Sequence, residues 1–582
     1  MIKISNLPIC NKIYNFRALT FVGLVLIAIG SGGIKPCVAA FGGEQFKMPE
    51  QAKHLASFFS LFYFSINAGS LLSTFFTPIL RDIKCMDNDD CFPLGFGLPA
   101  VLMTFSIILF LSAKYRTTPA QGNMFVKIVK CICNAISTKK KEKATNPREH
   151  WLEYAEPKFG KKLVMETKIL LNVLVLYIPL PIFWALFDQQ GSRWTFQATR
   201  MDGDLGWFTI KPDQMQVVNP LLILTFIPLY ELMFYPLLKL IGIRRPLQKM
   251  ALGGVFAGIA FLCSMFIETK IKATYPILPE DGFSQFRMYN AMNCDYNVVT
   301  TIKGSARRFQ VESNGYFEAL SVPVNGSSQE FYYKLTSQTE NCEAFEGFGY
   351  LSSKTANSFL ITQNGTKTII KDFEDDPDKS RDGKPAIRVL TNLKSLSQVK
   401  LLDRDGIQYN QNSSIYNREE VPAGIYDITI DDMTIQFGVK LKHGGVYAII
   451  IHEQSDGEYI SNISIVTEPN SVNMLWLVPQ YVLLTLGEVM FSVTGQQFAY
   501  TQAPESIKSV LQGFWLFTNS VGDIIVTIVV GANFFDDQAH EFLLFACLMF
   551  VDMVIFTLIA ANYKPISLDE IKNLEADGGS EN

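Results

Sequence analysis

Nine apolar segments, each about long enough to cross a lipid bilayer, dominate this sequence. A hydrocarbon core of about 30 Å needs roughly 20 apolar residues in an α-helix. Such segments occupy 19–42, 58–80, 94–112, 168–190, 214–241, 250–270, 472–500, 509–531 and 541–563. Only 18% of the residues are charged, against about 25% in soluble proteins. The pattern predicts an α-helical protein that crosses the membrane several times.

A polar insert at 271–470 interrupts the apolar segments. Short alternating pieces such as "YDITI" and "TIQFGV" are separated there by turn-like pieces such as "VNGSS" and "KHGG". Alternation between turns is typical of antiparallel strands, and the length suffices for two small domains. We therefore expect β-sandwich domains in the insert, with an irregular glycosylated loop as the alternative.

The distribution of basic residues predicts which loops face the cytosol. The loop 113–167 contains "KKKEK" and "KFGKK", and the connection 242–249 reads "GIRRPLQK". Cytosolic loops of membrane proteins carry an excess of Lys and Arg. Two predicted spans separate these loops, so both can lie inside the cell. The insert 271–470 then lies outside the cell.

Sequons and cysteines in the insert agree with that orientation. Sequons, which are usable only outside the cytosol, begin at Asn325, Asn364, Asn412 and Asn462. Cys85 and Cys91 share one predicted outside loop, and Cys294 and Cys342 share the insert. Each pair is a candidate disulfide in an oxidising compartment, with free thiols as the alternative.

Ionisable residues inside the predicted spans are candidates for function, because a charge in lipid is costly and usually faces a cavity. Those away from the span ends are Lys35, Glu231, Glu488, Asp523 and Asp552, and Asp188 lies at one span's outer end. The glycines and the proline of "GSGGIKP" around Lys35 predict bent backbone beside a cavity. A snorkelling lysine is the alternative. Glu488 lies mid-span, and is either a proton carrier or a partner in a buried structural hydrogen bond.

Polar and aromatic residues on two other spans each have two possible roles. Tyr63 and Asn67 lie four residues apart, hence on one helical face, where they either line a polar path or join helices. Trp184, close to Pro179 and Pro181, is either a pocket wall or simple packing. No role can be assigned to Asp523 or Asp552.

Motifs of soluble enzymes are absent from the sequence. "GSGGIKP" lacks the Gly-Lys-Ser/Thr of a phosphate loop, and no histidine lies in a span or at metal-ligand spacing. The sequence therefore predicts no enzyme, no metal or organic cofactor and no nucleic-acid partner. A receptor that binds through the insert is a rival class, although it would not need acids and a lysine along an internal cavity.

Several long motifs together resemble the proton-coupled oligopeptide transporter family. "GSGGIKPCVAAFGGEQF" and "FYFSINAGSLLS" resemble the two family signatures. "YIPLPIFWALFDQQGSRWTFQAT", "KPDQMQVVN" and "YTQAPESIKSVLQGFW" are similar to the animal di- and tripeptide transporters. The resemblance covers about 19–270 and 470–565. It implies a major facilitator superfamily fold and proton-coupled import of di- and tripeptides across the plasma membrane, with protons as the coupling ion.

The resemblance also implies roles for individual residues. Lys35 would meet the peptide carboxyl end, whereas Glu488 and Asn219 would meet its amino end. Tyr63 and Asn67 would line the path of the peptide backbone. Side-chain pockets would be bordered by Trp184, Gln190 and Trp515. Glu488 and Glu231 are the candidates for proton coupling.

Departures from the family pattern shape the expected domain plan. The E-x-x-E-R motif of the family's first span does not occur, and Asp523 replaces an asparagine. We therefore expect nine of twelve spans, an N-terminally incomplete chain, and a transport-inactive partner of full-length transporter as the alternative function. The plan is a partial N-terminal half (1–112), a cytosolic linker (113–167), three spans (168–270), the extracellular insert (271–470), three spans (471–565) and a cytosolic tail (566–582).

Overall fold

The computed structural model describes most of the chain, and it divides into two compact units. The described residues are 8–46, 51–81, 83, 91–115, 123–142, 147–206, 208–302, 305–339, 342–365, 367–394, 398–404, 408–412, 417–431, 433–454, 457–502, 504–532, 534–535 and 537–564. A helical unit comprises Met1–Gly191, Gln216–Met265 and Pro479–Asn582. A second unit, the insert unit, comprises Ser192–Met215 and Phe266–Val478.

The described residues contain fourteen α-helices, most of which coincide with the apolar segments of the sequence. They are α1 (Pro8–Glu44), α2 (Ala52–Arg81), α3 (Phe92–Ser112), α4 (Met124–Glu142), α5 (Glu156–Tyr177), α6 (Leu180–Phe187), α7 (Arg193–Thr199), α8 (Val218–Leu229), α9 (Tyr235–Leu240), α10 (Pro246–Ile271), α11 (Val478–Glu488), α12 (Thr494–Gln502), α13 (Lys508–Gly531) and α14 (Gln538–Asn562). Short π-helical turns, Tyr230–Phe234 and Val489–Val493, join α8 to α9 and α11 to α12.

Six helical stretches are long and apolar enough to cross a membrane, within the described residues: Ala18–Lys35, Phe92–Ser112, Pro246–Thr274, Met474–Gln496, Lys508–Gly531 and Gln538–Asn562. A seventh results if Trp151–Tyr177 and Leu180–Thr199, which meet at a 48° bend, form one broken span. Pro179 and Pro181 lie at this bend, as expected for residues that interrupt helical hydrogen bonds. The predicted count of nine is not confirmed.

Helix α1 carries the glycines and the proline around Lys35. The helix runs without a break from Pro8 to Glu44, and none of its glycines adopts a positive φ. Glycine permits an irregular backbone but does not impose one. The helix is therefore unbroken here, and a bend at "GSGGIKP" stays a prediction.

The predicted linker 113–167 contains α4 and the beginning of α5. Buried residues Cys131 and Ala135 of α4 pack against Leu152, Ala155 and Val164. A capping box between His150 and Glu153 precedes α5, which starts twelve residues before the predicted span because Pro157 suits its first turn. Gly160 kinks the helix at φ 80°, a conformation that favours glycine.

Helices α10 and α11 approach each other at a pair of glycines. A Cβ at Gly487 would lie 2.6 Å from the carbonyl oxygen of Gly253, and a Cβ at Gly253 would lie 2.7 Å from that of Gly487. Real side chains do not tolerate such distances, and the atoms in the way belong to backbone. The contact therefore depends on both residues being glycine.

We expect Gly487→Val to destabilise the helical unit by about 1–3 kcal/mol, as overpacking of a tight contact usually does. The measurement is the thermal unfolding temperature of the purified protein in detergent. Gly513→Val on α13 is the matched control, because a Cβ there meets nothing within 4 Å while the cost in helix propensity is the same. Equal unfolding temperatures for the two variants would contradict the tight contact.

The insert unit contains sixteen strands among the described residues, and together they form the β insert. They are β1 (Phe283–Asn290), β2 (Tyr296–Ile302), β3 (Ser305–Val311), β4 (Tyr316–Pro323), β5 (Ser328–Thr336), β6 (Phe345–Ser352), β7 (Ala356–Asn364), β8 (Lys367–Asp375), β9 (Ala386–Asn392), β10 (Gln398–Asp403), β11 (Gln408–Asn412), β12 (Glu419–Glu420), β13 (Gly424–Ile430), β14 (Met433–Leu441), β15 (Val446–Glu453) and β16 (Tyr459–Thr467).

The strands form two lobes with the same topology. Sheets β4-β1-β7-β8 and β3-β2-β5-β6 make the first lobe, and β12-β9-β15-β16 and β11-β10-β13-β14 make the second. Adding eight to each strand number of the first lobe reproduces the second. The pairings are antiparallel except for β1 with β7 and β9 with β15. The prediction of β-sandwich domains is confirmed. The insert consists of two domains with the same strand topology.

Each lobe has its own core, and an apolar patch joins them. Phe286, Phe331 and Phe359 lie in the first core, whereas Tyr426 and Ile449 lie in the second. Between the lobes, residues of both pack together: Tyr289, Ala291, Leu360, Leu390, Ala448 and Ile450.

The disulfide and sequon predictions fare unequally in the structure. Cys294 and Cys342 form the predicted disulfide. Cys91 is also disulfide-bonded, but its predicted partner Cys85 lies outside the described residues. Asn325 and Asn462 are exposed, whereas the side chains of the other two sequon asparagines, Asn364 and Asn412, lie outside the description.

Polar contacts attach the segment Ser192–Met215 to the β insert. The Asn470 amide donates to the carbonyl oxygens of Thr199 at 3.2 Å and Met201 at 3.0 Å. The buried Lys379 ammonium donates to the Asn470 side-chain oxygen and to the Glu468 carbonyl, both at 2.8 Å. Burial lowers the pKa of Lys379 to about 8. These bonds explain why a short segment after α6 belongs to the insert unit.

A buried histidine lies at the junction of the lobes. The Asn392 oxygen accepts from Thr362 Oγ1 at 3.1 Å and from the Gln363 amide at 3.2 Å, so its NH₂ group faces His452 Nδ1 at 3.1 Å. His452 Nδ1 must therefore accept, which requires the neutral ring. Burial lowers the pKa of His452 below its ordinary value of 6.5, although a hydrogen bond to the Ala291 backbone and nearby Glu453 oppose this, and Lys394 adds to it.

We expect acid to loosen the junction between the lobes. A histidine pKa that is lower in the folded state contributes stability above 6.5, and this stability is lost as the pH falls through the folded pKa. Hydrogen exchange of β15 in the purified protein, corrected for intrinsic rates, should accelerate on acidification. His452→Gln should remove most of this acceleration, and an unchanged pH dependence in that variant would contradict the assignment.

Candidate functional site

Three polar residues from two distant parts of the sequence meet in the helical unit. The Asn219 amide on α8 donates to Glu488 Oε2 at 2.8 Å and to Thr485 Oγ1 at 3.0 Å, both on α11. Thr485 and Glu488 share a helix face because they lie three residues apart. Asn219, Thr485 and Glu488 form the Glu488 cluster. A carboxylate held by an amide in this way can accept a proton or a cationic amine.

A second group of polar residues surrounds Asp188 at the C-terminal end of α6. Asn519 on α13 donates to Asp188 Oδ2 at 3.0 Å, and the Asp523 carboxyl lies close enough to Asp188 to interact with it. We call Asp188, Asn519 and Asp523 the Asp188 cluster. It brings two carboxyl groups together with one amide donor.

Electrostatic reach connects these two clusters to α1. Lys35 lies close enough to Asp188 to interact with it electrostatically, and Asp188 interacts in the same way with Glu488. Asp188 therefore lies within electrostatic reach of both a cation and a second carboxyl. Charges of both signs in one region suit a ligand that carries both.

An aromatic wall borders the clusters. Trp515 on α13 makes edge contacts with Trp184 at 5.9 Å and with Tyr177 at 5.5 Å between ring centroids. The Trp184 indole N–H and the Tyr177 hydroxyl are buried without a hydrogen-bond partner among the described residues. Buried polar groups usually have partners, so these two donors are exceptions among the described residues.

The remaining predicted site residues are less informative. Asn67 is buried on α2, and Gln190 is half-buried in the turn Asp188–Gly191. The side chains of Tyr63 and Glu231 lie outside the description. Asp552 on α14 has a buried Oδ2 without a hydrogen-bond partner among the described residues, and nothing in the structure gives it a role.

Sequence reasoning missed part of the site. Thr485 lies 266 residues from Asn219, and no local pattern marks it. Asn519 and Asp523 lie four residues apart on α13, so their shared face was visible in the sequence, but their partner Asp188 was not. Across the described residues, no group of three or more His, Cys, Asp or Glu is placed to hold a metal.

The POT family profile matches this chain at residues 3–313 and 433–537. The chain belongs to the POT family. Peptide transporter family 1 of Drosophila melanogaster is 42% identical over 561 residues, which is 94% of this chain and 74% of that relative. Solute carrier family 15 member 2 of Homo sapiens is 37% identical over 580 residues, which is 97% of this chain and 79% of that relative.

The fold of this POT-family chain also matches a solved transporter. The crystal structure of an auto-inhibited POT family peptide transporter superimposes with a TM-score of 0.50 at 20% identity, covering 95% of this chain and 79% of that one. The predicted fold class, the helical membrane fold of these transporters with a β insert, is confirmed. The Glu488 and Asp188 clusters lie in the helical unit of this POT-family fold.

Proposed function

We propose that this protein imports di- and tripeptides across the plasma membrane together with protons. The observation that carries the proposal is the Asn219–Glu488 contact at 2.8 Å, which joins an acid to an amide partner from a distant part of the sequence. In the proposal, Lys35 supplies the opposite charge. Membership of the POT family supports the same function. A peptide zwitterion needs opposite charges at its ends, and the distance between those charges limits its length.

Each part of the site has a role in this proposal. Lys35 binds the peptide carboxylate, and Asn219 and Glu488 bind its amino group. Trp184, Trp515 and Gln190 border the peptide side chains, while Tyr63 and Asn67 line the backbone path. The unpartnered donors of Trp184 and Tyr177 support this, because peptide carbonyls would satisfy them.

Protons travel through the carboxyls of the site. Ionised Glu488 binds the peptide ammonium. When Glu488 takes up a proton it loses its negative charge, and it then binds the peptide ammonium more weakly. The Asp188–Asp523 pair is the second place where a proton rests, because two neighbouring carboxylates repel each other unless one of them is protonated. Glu231 remains a further candidate from the sequence. No metal or organic cofactor enters this scheme.

The proposed orientation places α4 and the loop 242–249 in the cytosol and the β insert outside the cell. The Cys294–Cys342 disulfide supports this, since disulfides persist in oxidising compartments. The exposed sequon residue Asn325 supports it too. Glycosylation at Asn325, Asn364, Asn412 or Asn462 would occur only with this sidedness.

Competition for uptake tests the substrate class. Cells that express the protein should take up labelled dialanine faster at mildly acidic external pH than at neutral pH. Excess dialanine or trialanine should suppress the labelled uptake, whereas alanine and tetra-alanine should not, because neither places both charges at the right separation. Suppression by alanine equal to that by dialanine would overturn the proposal.

A further inference from the structure

Helix α4 has two apolar faces, and only one of them is covered. Ile128, Cys131 and Ala135 are buried, and the last two belong to the cluster that α4 forms with the start of α5. This face explains why the helix folds against its neighbours. It does not explain the rest of the apolar residues in α4.

The second face is an exposed stripe formed by Phe125, Val129, Cys133 and Ile136. Successive members lie three or four residues apart, so they share one side of the helix. Phe125 is 49% exposed, Val129 41% and Ile136 45%, and Cys133 is exposed as well. Four exposed apolar residues in a row on a helix outside the predicted spans mark a surface that binds something.

Lysines flank the exposed stripe. Helix α4 carries Lys127, Lys130, Lys139, Lys140 and Lys141, against the single acidic residue Glu142. At 100° per residue, Lys130 and Lys141 border the stripe on one side, and Lys140 lies at its C-terminal end. An apolar stripe edged by lysines is the pattern of a helix that lies in a membrane interface.

Contacts place α4 beside helices that enter the bilayer. The Phe125 ring lies 6.2 Å from the Phe514 ring, and Phe514 belongs to the first turns of the span α13. The cluster around Cys131 also includes Leu163 and Leu171 of α5. The N-terminal end of the exposed stripe is therefore continuous with the surface of a spanning helix.

We propose that the exposed stripe of α4 inserts into the headgroup region of the adjacent leaflet, and that its lysines bind anionic lipid headgroups. The proposed cytosolic position of α4 puts it at the leaflet that is rich in anionic lipid. The charge of the helix and its continuity with α13 favour lipid over a protein partner. The inference rests on the proposed sidedness and is independent of proton coupling and substrate.

Spin labels measure the depth of α4 in the membrane. The experiment uses the full chain. Cysteines outside the disulfides are replaced by serine, except Cys131, which is buried. Either Val129→Cys or Lys127→Cys then provides the single site for a nitroxide label. These positions face opposite sides of the helix. In vesicles of phosphatidylcholine with phosphatidylserine, the Val129 label should collide several-fold more with oxygen than with an aqueous nickel chelate. The Lys127 label should show the reverse.

The lipid charge and the lysines provide the second arm of the experiment. Omitting phosphatidylserine, or combining Lys130→Gln, Lys140→Gln and Lys141→Gln, should raise contact of the Val129 label with the nickel chelate. The same substitution at three exposed lysines of the β insert, Lys334, Lys354 and Lys440, is the matched control and should change nothing.

Three results would overturn the proposal. A Val129 label as open to the chelate as the Lys127 label would place the stripe in water. A Val129 label closed to both reagents would show that protein covers the stripe. If the depth of the Val129 label depends neither on phosphatidylserine nor on the lysines, anionic headgroups are not the partner. Loss of peptide uptake in a variant would bear on the function and not on this inference.

Discussion

Replacing Glu488 with glutamine should abolish acid-driven dipeptide uptake. Glutamine keeps the size of the side chain and an oxygen that can accept from Asn219, so the 2.8 Å contact can persist. It cannot carry a negative charge or exchange a proton, however. We therefore expect uptake driven by a pH gradient to fall to background, while exchange of internal for external peptide without a gradient remains measurable.

Glu541→Gln is the matched control for this prediction. Glu541 is a second buried glutamate on a spanning helix, in the first turn of α14, and it takes no part in the Glu488 cluster. The control should retain acid-driven uptake at near wild-type rates. Normal coupling in Glu488→Gln, or equal losses in both variants, would remove Glu488 from the proposed proton path.

Lys35→Gln should weaken the binding of peptides that have a free carboxylate. A hydrogen bond to a charged group contributes about 1.5–3 kcal/mol, so the concentration for half-maximal uptake should rise roughly 10- to 150-fold. For a dipeptide with an amidated C-terminus, which lacks the charge that Lys35 binds, the rise should be small. Inhibition of labelled uptake by each peptide gives both values.

The comparison of the two peptides separates binding from folding. A Lys35→Gln protein that is merely misfolded would lose free and amidated peptides alike. Lys114→Gln, which removes a lysine just beyond α3, is the matched control and should leave both affinities unchanged. Equal losses for the free and amidated peptides would show that Lys35 does not bind the carboxylate.

Local features of the sequence predicted the elements well but not their contacts. Apolar length and composition are properties of each segment, so the helices appeared close to where the sequence places them. The Asn219–Glu488 contact joins residues 269 apart, and periodicity within a segment carries no information about such a pair. The family resemblance, not the pattern, placed these residues in one site, and their roles stay predictions.

Two features of the helices did not follow from local patterns. The glycines before Lys35 predicted bent backbone, but glycine only lowers the cost of bending, and α1 stays continuous. Helix α4 lies in the basic linker, where apolar length does not reveal it because the helix carries five lysines. The repeat of the two lobes was also hidden, since strand order is a property of pairing and not of residue type.

Simultaneous measurement of peptide and proton movement tests the central claim most directly. The protein is reconstituted into vesicles that contain a pH-sensitive dye, and an external dipeptide gradient is imposed without any initial pH difference. The account predicts acidification of the lumen that begins with dipeptide entry, is absent with alanine, and disappears in Glu488→Gln. Dipeptide entry without acidification would contradict proton-coupled symport.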